Sequence, residues 1–299
     1  MRVIEKVCPN GRVALDHGSL VGTWHNSDRS AGGVRRLDLS VVDGQPRLRV
    51  FGTGRPQPYD WGEVEARCFA TAPTSWAAWA FTAVYDVGFR TMRIAAYSRG
   101  GLLVVTTYNA FTGAGWPQPY WTREFLYRAQ ASAAVTGPPP ERGGAEPERV
   151  VAVPERVEPG GAEQSLADRA TAPLLPWELD PAPLVAVWRN VDPAATRLSH
   201  VRISERDGYL LVRPHGVWSP RRHDWHATVG SAFAADVRDS VAVAFTTFFE
   251  LAVGQVEMVG YLDRRLLTVE TASTYRDGSG RAPHYVREHF YPTEGGHHD

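Results

Sequence analysis

Cysteine is nearly absent: Cys8 and Cys68 are the only two in 299 residues. Two thiols cannot build a disulfide scaffold, and a cytoplasmic chain keeps them reduced. Lysine is rarer still, with Lys6 alone among 32 basic residues; the arginine bias reads as coding-genome composition rather than function. An excess of one charge is missing too, since the formal net charge is −1. That excludes the basic stripe of an electrostatic nucleic-acid binder. No apolar run approaches the roughly 18 residues of a membrane span, and residues 1–10 lack the apolar core of a signal peptide. The expectation is a cytoplasmic chain with no membrane or nucleic-acid partner; the oligomeric state stays open. The chain also lacks a nucleophile elbow, a phosphate loop, a Cys–His constellation and a dinucleotide fingerprint. Hydrolase, kinase and dehydrogenase readings weaken together, and no cofactor or metal is implied.

What the chain does have is a repeat. Displaced by 164 positions, the two halves fall into register without a gap. Trp24, Asn26 and Asp28 meet Trp188, Asn190 and Asp192, and Asp43-Gly44 meets Asp207-Gly208. Pro56, Asp60 and Trp61 meet Pro220, Asp224 and Trp225, and Tyr97 meets Tyr261. Arg123-Glu124 meets Arg287-Glu288. Roughly thirty identities over about a hundred and ten positions, rare tryptophans and prolines among them, mark a duplicated unit. The copies span 12–128 and 183–293; residues 129–182, rich in Pro, Glu and Gly, read as a disordered linker.

Each copy reads as short strands. Val34–Val41 and Arg47–Phe51 flank Asp43-Gly44, a hairpin signal. From Trp76 to Tyr85 large and small side chains alternate, with Trp79, Phe81 and Tyr85 expected on one face. Arg90–Ser98 and Leu102–Phe111 surround Arg99-Gly100-Gly101, and a last strand covers Tyr120–Tyr127. Seven or eight such strands per copy, without a sustained helical period, predict an all-β chain of two tandem antiparallel up-and-down β-barrels, since closure removes exposed strand edges.

Gly22-Thr23-Trp24 near the first strand, with Arg123 or Arg128 on the last, resembles the calycin superfamily of lipocalins, fatty-acid-binding proteins and avidins. The resemblance implies a Trp packed across the closed end of a barrel beneath an Arg of the final strand. Gly22-Thr23-Trp24-His25-Asn26 also resembles the opening of avidins, which implies that Asn26 lines a ligand pocket. The second copy has Ala186-Val187-Trp188, without the glycine. The tandem arrangement is similar to two-barrel lipocalin-like hydratases and cyclases in architecture only, and architecture does not carry activity.

Several side chains could carry chemistry. Trp24, Asn26, Asp28 and Trp188, Asn190, Asp192 repeat at period 2; they could bind a polar ring, or bond neighbouring loop backbone and so build the fold. Arg36, Tyr97 and Tyr261 complete the candidate ligand contacts. Of each Arg-Glu dipeptide one member points inward, and Asp60 and Asp224 are the expected partners of an inward Arg123 or Arg287. Glu270 stands on an apolar strand where the first copy has Thr106, and His200 replaces Arg36. A carboxyl on an apolar strand either faces solvent or sits in a pocket with a raised pKa, where it could serve as acid or base; Glu270 and His200 are the catalytic candidates. His223 and His226 fall on opposite strand faces and do not converge as zinc ligands.

Three functions fit. The first is a binder holding a small amphipathic, aromatic or sugar-like ligand in a barrel pocket, for which ten Trp and eleven Tyr are suited. The second is a cofactor-free isomerase or cyclase using the same cavity. The third is a scaffold with filled barrels. Function is expected where the copies differ: Arg36 against His200, Cys68 against Ala232, Thr106 against Glu270.

Overall fold

A computed structural model describes residues 15–53, 58–112, 117–129, 179–195, 197–216 and 225–293. The expected linker, apart from its two ends, and the loop residues Pro56, Pro220, His223 and Asp224 lie outside the described residues.

The first half has eight strands: β1 (Gly22–Asn26), β2 (Val34–Val42), β3 (Gln45–Gly52), β4 (Tyr59–Ala70), β5 (Ala78–Asp86), β6 (Arg90–Arg99), β7 (Leu102–Phe111) and β8 (Tyr120–Arg128). The second has β9 (Ala186–Asn190), β10 (Leu198–Arg206), β11 (Tyr209–Gly216), β12 (Thr228–Ala234), β13 (Ala242–Leu251), β14 (Gly254–Asp263), β15 (Leu266–Tyr275) and β16 (His284–Pro292). Within each half, every strand pairs antiparallel with the next in sequence, as short hairpins require. Asp43-Gly44 and Asp207-Gly208 both hold positive φ, the conformation that matches the twist of a two-residue hairpin. β1 also pairs with β8, and β9 with β16, so each half's circuit of pairings returns to its start.

Inside the first circuit, Trp24, Leu37, Leu48, Phe81, Ile94 and Leu103 form one buried cluster; Trp188, Val201, Leu210, Phe245, Met258 and Leu267 do so in the second. Leucine, valine and phenylalanine side chains buried this way each contribute about 1.5–3 kcal/mol. Cys68 belongs to the first cluster, where burial pushes its thiol up to about 12. It is a packing residue, not a nucleophile.

Leu179 and Leu184 are buried, and Asp180 bridges Val241 as Asp16 bridges Ala77. The alternation in β5 is broken. β4 and β5 shift register between Phe69 and Ala70, an irregularity that β12 and β13 repeat between Phe233 and Ala234. Phe81 and Tyr85 therefore point into the first core, while Trp79 packs against Tyr97 and Tyr285.

The halves meet through a contact that repeats itself under the 164-residue displacement. The Ala70 N–H donates to Pro283 O at 2.8 Å, and the Ala234 N–H to Pro119 O at 2.9 Å. Phe69, Tyr97 and Val104 pack on Ala272 and Tyr285; Phe233, Ala244 and Tyr261 pack on Tyr108. Arg123 lies 5.3 Å from the Tyr261 ring centroid, and Arg287 lies 5.7 Å from that of Tyr97. Two halves related in this way form the isologous interface of a symmetric dimer within one chain.

Candidate functional site

Strand direction sorts the loops of the first half to two ends. At one end, Leu20 is fully buried, and its carbonyl accepts the Trp24 Nε1–H at 2.8 Å. Arg128 donates to the Gly18 carbonyl at 3.2 Å and the Ser19 carbonyl at 2.6 Å, its guanidinium 4.9 Å from the Trp24 ring centroid. Of the two arginines considered for this place, Arg128 takes it. The second half keeps the Trp188 bond to the Leu184 carbonyl at 2.8 Å but has Pro292 where Arg128 would recur.

At the other end of the first half is a cavity of about 160 Å³. Its walls come from the end of β3 and start of β4 (Gly52, Thr53, Tyr59, Trp61), the start of β6 (Arg90), the end of β7 (Thr107, Asn109) and the start of β8 (Tyr120, Thr122). Gly32 and Gly33 complete it. Gly52 lets the indole lie on the backbone, since a Cβ there would stand 2.5 Å from Trp61 Nε1. Arg90 donates from Nη2 to Asn109 Oδ1 at 2.6 Å. Its Nε–H and the Thr107 hydroxyl are buried without a hydrogen-bond partner. Burial lowers the Arg90 pKa. Beside Gly33, Glu124 accepts the Val34 N–H at 3.0 and 3.1 Å, and burial raises its carboxyl to about 7.

None of the candidate ligand-binding or catalytic residues named from sequence lines this cavity; Trp61, noted there as part of the repeat, does. Asn26 is buried, but its amide is consumed locally: Nδ2 donates to the Val34 carbonyl at 2.7 Å, and Oδ1 accepts the Asp28 N–H at 2.9 Å. Asp28 lies past the end of β1 and caps its turn through Ser30. Asn190 bonds the Leu198 carbonyl and Glu288, while Asp192 accepts the Ala194 N–H. Trp24 and Trp188 are core residues. These sets build the fold.

Arg36 pairs with Asp38 at 3.1 Å and covers the Phe51 ring at 3.7 Å, at the surface. His200, its counterpart, stacks on His215 with ring centroids 4.0 Å apart. Asp60 takes Arg49, through a 3.0 Å bond from Nε to Oδ2, rather than Arg123. In each Arg-Glu dipeptide the glutamate bonds within its own half, Glu124 buried and Glu288 half-buried, and the arginines go to the contact between halves.

Glu270 lies at that same contact and is 1% exposed. It accepts hydrogen bonds from the hydroxyls of Tyr285 and, at 3.3 Å, Tyr261; Arg287 Nε is 3.4 Å away. Burial raises the carboxyl pKa, against which Tyr285 and Arg287 act. Tyr97 and Tyr261 are buried here as well. Glu270 thus ties Tyr261, Tyr285 and Arg287 of the second half together on the face that packs on the first half, outside both cores.

The mouth residues Arg90, Thr107 and Asn109 were not read from sequence. The available signal was a polar change at the ends of otherwise apolar strands, together with Arg90 standing opposite Gly254. Among the described residues no three His, Cys, Asp or Glu side chains converge as for a metal ion. The chain matches no protein-family model, no curated protein and no solved structure.

Proposed function

We propose that each half is an up-and-down β-barrel of the calycin type, and that the first binds a small aromatic or amphipathic ligand at its mouth. The closed pairing circuits and the Arg128–Trp24 stack at the plugged end support the architecture. The cavity carries the binding reading: it is walled by Trp61 and Tyr120, and the buried Thr107 hydroxyl lacks a partner inside it. A buried hydroxyl without a partner costs about 1–3 kcal/mol, a cost that a polar ligand group removes. An apolar cavity of about 150 Å³ is enough to hold benzene, so the available space favours a ring-sized ligand over a polyene or polyketide.

Titration with phenol, followed by tryptophan fluorescence, tests this. Saturable quenching with a Kd on the order of 0.1–1 mM, lost in Trp61→Ala, is expected. Absence of saturation, or quenching unaffected by that substitution, overturns it. Native mass spectrometry of the purified chain identifies a retained natural ligand.

A further inference from the structure

We infer that the mouth of each half is an oxyanion site, in which Arg90 of the first and Arg197 of the second present a guanidinium to a small carboxylate-bearing ligand. For the first half this rests on the ligand reading above; for the second it stands independently.

An arginine cannot discard its charge, so a guanidinium held away from water requires an anion or a full set of acceptors. Arg90 has neither among the described residues. Its one hydrogen bond goes to the neutral amide of Asn109, no carboxylate lies within ion-pair distance, and its Nε–H is unpartnered.

The duplication supplies a second observation. The counterpart of Arg90 is Gly254, so simple divergence would have removed the cation from the second mouth. Arg197, which stands where the first half has Gly33, replaces it. Arg197 Nη2 donates to Ser273 Oγ at 3.2 Å, and Ser273 is the counterpart of Asn109. Both guanidiniums therefore bond the same strand position, one reaching it from β6 and the other from the residue before β10.

The unpartnered groups recur as well. Arg197 Nη1 and the hydroxyl of Thr271, counterpart of Thr107, are buried without hydrogen bonds. Thr107 and Thr271 are each 2% exposed. Glu288, the acid nearest in effect to Arg197, is engaged by Asn190 at 3.0 Å and makes no ion pair with the guanidinium. A largely enclosed cation without a counter-ion is costly. Keeping one while changing its carrier is what a requirement for an anion produces. His284 stands at the position of Tyr120, so the two ligands need not be alike.

The test is a titration of the full-length chain with benzoate and with neutral benzyl alcohol, following arginine Nε–Hε resonances by NMR. Two resonances should move saturably with benzoate, one absent in Arg90→Gln and the other in Arg197→Gln. At the first mouth benzoate should bind about 10–100-fold tighter than the alcohol, the range of a charge-assisted hydrogen bond, and Arg90→Gln should level the two.

Equal affinity for both compounds overturns the oxyanion inference and leaves the ring-binding reading standing. Failure of both compounds to bind removes both readings. An Arg197 resonance unmoved by benzoate overturns the second site alone. Thr271→Val, which deletes only a hydroxyl, guards against misfolding of the arginine variant: about 3–10-fold weaker binding at the second mouth, with an unchanged melting temperature, is expected. Unchanged affinity there rejects the second site.

Discussion

Arg93 Nη1 donates to Glu257 Oε1 at 2.6 Å, across a separation of 164 residues that is the spacing of the repeat itself. Each residue thus meets its own counterpart, which places the pair on the two-fold relation between halves. In a dimer of identical subunits this position would bring like charges together. The ion pair exists because the copies diverged, and it favours this union of unlike halves over other pairings.

Both side chains are mostly buried, at 16% and 15% exposure, so removing one strands the other. Arg93→Ala and Glu257→Ala should each cost about 1–3 kcal/mol in urea unfolding. A double-mutant cycle should return a coupling of at least about 1 kcal/mol. Glu257→Arg should be the worst single variant, and Arg93→Glu combined with Glu257→Arg should recover most of the loss. Additive single effects would remove the pair from the interface's energetics.

Glu270 makes a sharper case. Glu270→Ala leaves the Tyr261 and Tyr285 hydroxyls and the Arg287 guanidinium without their common acceptor. Breaking such a buried pair costs about 3–5 kcal/mol, whereas Glu270→Gln keeps one acceptor oxygen and should cost less. Calorimetry of Glu270→Ala should show a lower transition, since the cluster on the packed face of the second half loses its acceptor. A loss below about 1 kcal/mol contradicts the structural role of this buried cluster.

Local chemistry explains what was legible in the residues. Asp43-Gly44 marks a hairpin because its backbone conformation depends on its own side chains, and strand alternation depends on the two residues beside each position. The duplication was legible through residues that serve the fold, such as Trp24, Asn26 and Asp28. The mouth was not legible: Arg90, Thr107 and Asn109 converge only once β6 and β7 pair in one register. Nor was the displacement of Trp79, because a two-against-one pairing leaves no compositional mark. Glu270 stood out as a charge on an apolar strand, but which face of the strand packs on the other half is a property of the assembled interface.

Stability should depend on pH through Glu124. Burial raises its carboxyl to about 7, against the backbone N–H groups of Val34 and Gly33. The unfolded chain releases this proton near the ordinary value of about 4.3. Between those values the folded state binds more protons, so this contribution is full at low pH, declines as pH rises towards 7 and is level above it. The linkage is on the order of 3 kcal/mol. His284 opposes it in sign: burial, with Arg197 beside it, lowers the imidazole to about 3, so its contribution is lost as pH falls below about 6.5. Glu124→Gln cannot ionise and should gain on the parent from about pH 5 to about pH 8 in urea unfolding. A constant difference across that range would show that Glu124 is ionised throughout.

Gly33 tests the same corner sterically. A Cβ at Gly33 would collide with Glu124 Oε1 and stand 3.0 Å from its Cδ and 3.1 Å from Oε2, tighter than nearly all real contacts. The carboxyl must then move, losing the Val34 N–H bonds that its present position makes. The second half carries Arg197 at this position, and its glutamate, Glu288, also accepts from the Asn190 amide. Gly33→Ala should therefore cost about 1–3 kcal/mol, the range for overpacking and a lost buried bond. Because the displaced carboxyl loses backbone donors that favour its charged form, the inflection attributed to Glu124 should also move upward. Urea unfolding of Gly33→Ala across the same pH range reads both effects. A destabilisation that leaves the inflection in place would mean that the alanine is accommodated by backbone displacement, with Glu124 still bonded to Val34.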